Sequence, residues 1–189
     1  TVDGVITGDL VAGAYSIDIN GVVNGSTNVF ANSVSVGGTT NGSVRAFAGR
    51  VVIDGLIGGS VLSGGRSITL EKGGVISKEA HLFGKQITCE GTVLGDMNAF
   101  GENIILSGTV EGDATLKGKH ITVIPPAIIK GKLICAWSGS LEIDSTGGVI
   151  LGNGVEISQS KDGEDEEEDG SVLTTIVMKS SQILAAFLF

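Results

Sequence analysis

Aromatic residues are scarce in this 189-residue chain, with six Phe, one Trp and one Tyr, too few for an ordinary globular core. Proline occurs twice. Glycine occurs 31 times, more than twice its usual ~7 % share, yet without the strict third-residue period and high proline of a collagen-like chain. The two cysteines, Cys89 and Cys135, have neither a metal-ligand spacing nor the density of a disulfide scaffold. Positive charge is also short: the formal net charge is -9, and no basic stripe with interleaved aromatics is apparent along the chain, so nucleic acid is not expected as a partner.

What the chain does have is a repeat. Alignment on Gly4, Gly21, Gly38, Gly55, Gly74, Gly91, Gly108 and Ala127 gives intervals of 17 residues, lengthened to 19 at Lys72-Gly73 and at Pro125-Pro126. A second glycine column follows at Gly8, Gly25, Gly42, Gly59, Gly95, Gly112 and Gly131, broken by Lys78. Apolar residues alternate with polar ones inside each unit, as in the columns Ile6, Val23, Ile57, Ile76 and Ile17, Val34, Val51, Ile68. Period two means strands with alternate side chains facing a core, and β-branched residues suit that half-buried surface. The pattern predicts an all-β fold: a single-stranded right-handed β-helix (solenoid) of about eight 17-residue triangular coils over residues 1–160. Each coil would hold three strands of three to five residues, with corners at the glycines, where positive φ is expected, and at a small residue eleven places into the unit. Both two-residue insertions fall at one corner, a place where proline costs no ladder bond. Trp137 replaces the small corner residue of the eighth unit, Leu141 and Ile143 are displaced by one, and a partial ninth coil runs through Gly148, Ile150, Val155 and Ile157.

The inventory for chemistry is thin. His81 and His120 fall on different faces and are predicted to point outward, without the converging partners that a zinc site or a general base needs. Cys89 and Cys135 occupy inward columns three coils apart, too far for a disulfide, and read as buried small hydrophobes. Asp9, Asp96 and Asp113 share the column after the second glycine and read as a solvated edge rather than paired acid catalysts. Phe30, Phe47, Phe83 and Phe100 share another column, either an aromatic ladder packed at a corner or an exposed stripe for lateral contact with a partner or membrane.

After Ser160 the repeat stops. Residues 161–170 form an acidic block, a solvated linker by composition, and residues 171–189 form an apolar tail that ends on Ile183, Leu184, Phe187, Leu188 and Phe189. The visible run is shorter than the roughly twenty residues a membrane span takes, so it reads either as the first part of a transmembrane helix or as an interfacial or rod-capping segment.

The cores Gly4-Val5-Ile6-Thr7-Gly8-Asp9, Gly91-Thr92-Val93-Leu94-Gly95-Asp96 and Gly108-Thr109-Val110-Glu111-Gly112-Asp113 resemble those of the bactofilins, polymer-forming cytoskeletal proteins of prokaryotes. Val44-Arg45-Ala46-Phe47-Ala48-Gly49 and Met97-Asn98-Ala99-Phe100-Gly101 resemble the subgroup whose rod is joined to membrane helices; the resemblance spans roughly residues 4–157. It implies no cofactor or nucleotide, and rods joined through their terminal coils into non-polar filaments or sheets. The acidic block and apolar tail depart from the pattern and are placed to cap one end. The expectation is therefore a non-enzymatic, membrane-associated scaffold of a prokaryotic cell. It would associate with itself through end coils and with a membrane or membrane-complex subunits through the tail. The residues expected to carry contact are Val2, Val5, Ile6 and Leu10 of the first coil, the four Phe, Trp137 and the five tail residues named above. The alternatives are an accessory subunit of a membrane complex and, on a divergent scaffold of this kind, an enzyme.

Overall fold

The computed structural model describes residues 1–144 and 149–159. The acidic block, the apolar tail and Gly148 lie outside the described residues. Every strand runs parallel to its neighbours, in two nine-stranded sheets that share the coils between them. One sheet stacks two-residue strands: β1 (Val5–Ile6), β3 (Val22–Val23), β5 (Thr39–Thr40), β7 (Leu56–Ile57), β9 (Val75–Ile76), β11 (Thr92–Val93), β13 (Thr109–Val110), β15 (Ile128–Ile129) and β17 (Ile150–Leu151). The other stacks long strands: β2 (Leu10–Ile19), β4 (Thr27–Val36), β6 (Val44–Ile53), β8 (Val61–Leu70), β10 (Ala80–Cys89), β12 (Met97–Leu106), β14 (Ala114–Val123), β16 (Leu133–Ile143) and the shorter β18 (Val155–Gln159). The described residues form an all-β solenoid of about eight coils, with β17 and β18 in a ninth, and the repeat read from the sequence is its register.

The coil differs from the expected triangle of three short strands. Two of the expected strands are one, because each ten-residue strand rounds the corner at its small residue without ending. Pairing on either side is in register, as Ala31 with Ala48 and Ser33 with Arg50, and lapses only for the residue between. A methyl or a hydrogen at that corner (Ala14, Ala31, Ala48, Gly65, Gly84, Gly101, Gly118) leaves room for the backbone to bend. At Trp137 the eighth coil bulges: Gly118 pairs with Trp137 but His120 with Ser140, which brings Leu141 and Ile143 back beside Ile121 and Val123. The two-residue insertions close turns at one corner, with Gly74 N–H on the Glu71 carbonyl (2.9 Å) and Ala127 N–H on the Ile124 carbonyl (3.0 Å).

The inward columns form one continuous core from Ile17 to Ile143, in which most side chains are fully buried. Its polar members are Thr27 and Thr40, whose hydroxyls face each other at 3.4 Å, and Ser63. Among the described residues the Ser63 hydroxyl has no hydrogen-bond partner. A buried hydroxyl without a partner costs more than the methyl that could replace it, so Ser63→Ala is expected to raise unfolding stability by about 1 kcal/mol in a denaturant titration.

The glycine columns have a different cause from the one expected. Among the described residues only Gly154 has a positive φ (99°). From the second coil on, the glycines of the two columns are crowded by the coil stacked before them. A Cβ at Gly55 would lie 1.9 Å from the Gly38 carbonyl oxygen, and one at Gly42 would lie 2.6 Å from the Gly25 carbonyl group. At these positions only hydrogen fits, although Ala127 and Lys78 stand in the same two columns in other coils. Gly8, in the first coil, would meet nothing within 4 Å. Gly55→Ala should therefore cost about 3 kcal/mol or more, as overpacking against rigid backbone does. Gly8→Ala should stay within about 0.5 kcal/mol of the parent, as an unobstructed surface change does, and thermal unfolding of dilute protein distinguishes the two.

Candidate functional site: two surfaces

The groups that could carry chemistry are engaged in structure. Asp9 Oδ1 accepts the Ser26 N–H (2.7 Å), Asp96 Oδ1 that of Asp113 (2.8 Å), and Asp113 Oδ1 that of Lys132 (2.7 Å). The same column uses hydroxyls in other coils, with Ser26 Oγ accepting from Ser43 N–H (3.3 Å) and Ser43 Oγ from Ser60 N–H (3.2 Å). These carboxylates satisfy the corner amides of the next coil. A groove of about 250 Å³ is lined by Ser43, Arg45, Ser60, Leu62 and His81. Its Ser60 hydroxyl donates to Glu79 (2.6 Å), and that bond holds the Glu79 carboxyl below its usual range. His120 lies 2.8 Å from the Ser140 hydroxyl on another part of the surface. Among the described residues no three His, Cys, Asp or Glu side chains converge as metal ligands do.

Cys89 and Cys135 are free and buried, as the inward columns require. Burial pushes both thiols up to about 12. The folded value lies above the unfolded one, so their contribution to stability is present below pH ~9 and is lost as pH rises toward ~12. Neither thiol should react with iodoacetamide in the native protein at pH 8, whereas both should after denaturation, as mass spectrometry would read.

The first surface is the open end at the first coil. Ile6 and Leu10 are half-buried, while the equivalent residues one coil later, Val23 and Thr27, are fully covered. Val2 pairs with Ile19 as the remnant of a preceding turn. Val5 is 68 % exposed, and two residues that the sequence reading passed over, Val11 and Tyr15, are 75 % and 81 % exposed. Later coils bond backward, as Val22 N–H does to the Gly4 carbonyl and Thr39 N–H to that of Gly21 (both 2.9 Å). Among the described residues no strand pairs with Val5 on its other side, where a strand edge stands beside the half-covered core residues Ile6 and Leu10.

The second surface is the outer face of the long sheet. In-register pairing sets Phe30, Phe47, Gly64, Phe83, Phe100 and Lys117 in one row across β4 to β14. Strands about 4.8 Å apart bring like rings within stacking distance. Phe30 and Phe47 stack with centroids 5.6 Å apart and planes at 12°, and Phe83 and Phe100 at 5.2 Å and 5°. Gly64 leaves a gap between the pairs, and the Phe47 ring leans over it, 2.8 Å from where a Cβ would stand. The row ends in Lys117, whose Nζ lies 5.6 Å from the Phe100 centroid. The rings are neither buried at a corner nor free of one another: they are half-exposed stacked pairs.

Around this row the charge is segregated. Strands β4 to β14 carry Arg45, Arg50, Arg66, Lys85, Lys117 and Lys119, against one carboxylate, Glu102, which pairs with Lys85 at 3.2 Å. The expectation that no basic stripe with interleaved aromatics exists is thus corrected. The basic residues are far apart in the chain, and only coil stacking assembles them. Trp137 is also corrected as a contact residue: at 3 % exposure it is part of the core, in the bulged coil. Ile183, Leu184, Phe187, Leu188 and Phe189 lie outside the described residues. No helix among the described residues is long and apolar enough to cross a membrane.

No protein-family model, curated protein or solved structure matches this chain.

Proposed function

We propose that the chain is a non-enzymatic, bactofilin-like structural scaffold that associates with itself end to end through its first coil, and that residues 171–189 tether it to a membrane of a prokaryotic cell. The observation that carries this reading is the pair Gly4 and Gly8. In later coils a backbone lies against these columns, at 2.0 Å from a Cβ built on Gly21 and 2.6 Å from one on Gly25. At Gly4 and Gly8 nothing lies within 4 Å, yet both are still glycine. The first coil thus keeps the clearance for a neighbour on a face that none of the described residues covers. Exposed Val5 and half-buried Ile6 and Leu10 offer that neighbour an apolar core edge. The resemblance of the glycine-spaced cores to polymer-forming proteins points the same way.

The doubly substituted chain Gly4→Ala, Gly8→Ala tests the reading because it separates assembly from folding. Its unfolding midpoint in dilute solution should match that of the parent. Electron microscopy should show end-joined rods for the parent and single rods for the variant. Parent protein that sediments as a monomer at every concentration, or a variant that assembles as well as the parent, would overturn the proposal.

A further inference from the structure

We propose that the basic, aromatic face of the long sheet binds an acidic peptide, and that its occupant is the chain's own segment Asp162–Asp169. Three observations carry this beyond end-to-end assembly.

The first is charge. The face concentrates Arg45, Arg50, Arg66, Lys85, Lys117 and Lys119 on a chain of net charge -9. Among the described residues, Arg50, Arg66 and Lys119 have no carboxylate partner. Glu-Asp-Glu-Glu-Glu-Asp, from Glu164 to Asp169, is the densest run of opposite charge in the sequence.

The second is the place of the last described strand. Gln159, the last residue of β18, pairs with Trp137, and Trp137 pairs with Gly118. Gln159, three residues before Asp162, therefore lies two coils beyond the strand that carries Lys117 and Lys119, about 10 Å away along the same sheet. The acidic segment starts next to its complement.

The third is length. At about 3.3 Å per residue, the ten residues from 160 to 169 reach about 33 Å. Six coils separate β18 from β6, which carries Arg45 and Arg50, a span of about 29 Å. An extended segment that runs back along the bend of the long strands passes Arg45 and Lys117 before the corner residue and Arg50, Arg66, Lys85 and Lys119 after it. Each exposed ion pair is weak by itself. Tethering makes the encounter intramolecular, and a carboxylate at nearly every residue lets many registers satisfy the row.

The test uses the full chain with Thr115→Cys and Gly163→Cys, which spares every charged residue in question. Thr115 lies on β14 beside Lys117; the matched control replaces it with Thr109→Cys, on β13 of the same coil but in the short sheet. Cys89 and Cys135 are buried, so the engineered pair alone reports. In dilute protein under a glutathione redox buffer, the Thr115→Cys pair should close an intramolecular disulfide at least tenfold faster than the control at ~0.01 M salt. Most of that advantage should vanish at ~1 M, where the Debye length falls from about 30 Å to about 3 Å. Adding Lys117→Glu and Lys119→Glu should bring the rate down to the control's. Equal rates for the two pairs, an advantage insensitive to salt, or disulfides only between chains would overturn the proposal. So would an oligothymidylate that binds the unsubstituted chain at low salt and is lost on Phe47→Ser with Phe83→Ser, because the face would then be open to a foreign polyanion. The readout needs no assembly, so filament formation can fail while this result stands, and the reverse.

Discussion

The constraint on which this molecule depends is that each coil must lie in register directly on the one before it, backbone against backbone. One coil cannot bury its own apolar residues; Ile57 is covered only because Thr40 and Ile76 sit beside it in the same column. That closeness forces glycine at most corners, since the space for a Cβ at Gly38 or Gly108 is already taken by a carbonyl group; Ala127 and Lys78 are the exceptions in the two columns. It also turns any residue repeated at one place in the unit into a row. Asp and Ser at the second corner become a chain of amide acceptors, and Phe just before the bend becomes stacked pairs.

The same stacking explains how an acidic protein comes to have a basic side. Acidic residues such as Asp54, Glu71, Glu90 and Asp96 fall between the strands of the two sheets, while six of the basic residues, Arg45, Arg50, Arg66, Lys85, Lys117 and Lys119, fall on the long strands from β6 to β14, where Glu102 is the one carboxylate. Net charge hides this arrangement because the densest carboxylates, from Asp162 to Asp169, follow the repeat rather than belong to it. Surface character in a solenoid is decided column by column, and a sum over the chain averages it away.

The repeat length, the inward columns and the outward histidines were legible because they depend only on spacing: a residue seventeen places on occupies the same site. The buried cysteines followed from the same columns. Less legible was anything that depends on how the backbone turns. Small residues such as Ala48 and Gly65 mark a bend, but whether the ladder ends there or continues depends on hydrogen-bond geometry that composition does not encode. Glycine is ambiguous in sequence between conformational freedom and lack of bulk, and here lack of bulk decides. Trp137 looked like an outward intruder because its column is otherwise small; the bulge after it makes the room that holds the ring inside. The basic face could have been found by reading the outward columns for charge as the inward ones were read for hydrophobicity.

The direction of the hydrogen bonds has a mechanical consequence. They lie along the axis of the stack, so tension between the two ends is carried by successive coil contacts in series and is limited by the weakest of them. Among the described residues the long strands from β2 to β16 offer ten or eleven residues each, so no interior contact stands out as weak. Under load the stack is expected to peel from an end, where a coil is held on one side only, one coil at a time. Each coil given up shortens the stack by about 4.8 Å and releases roughly 17 × 3.4 ≈ 58 Å of chain, so the rod pays out length in steps while the coils still stacked stay stiff.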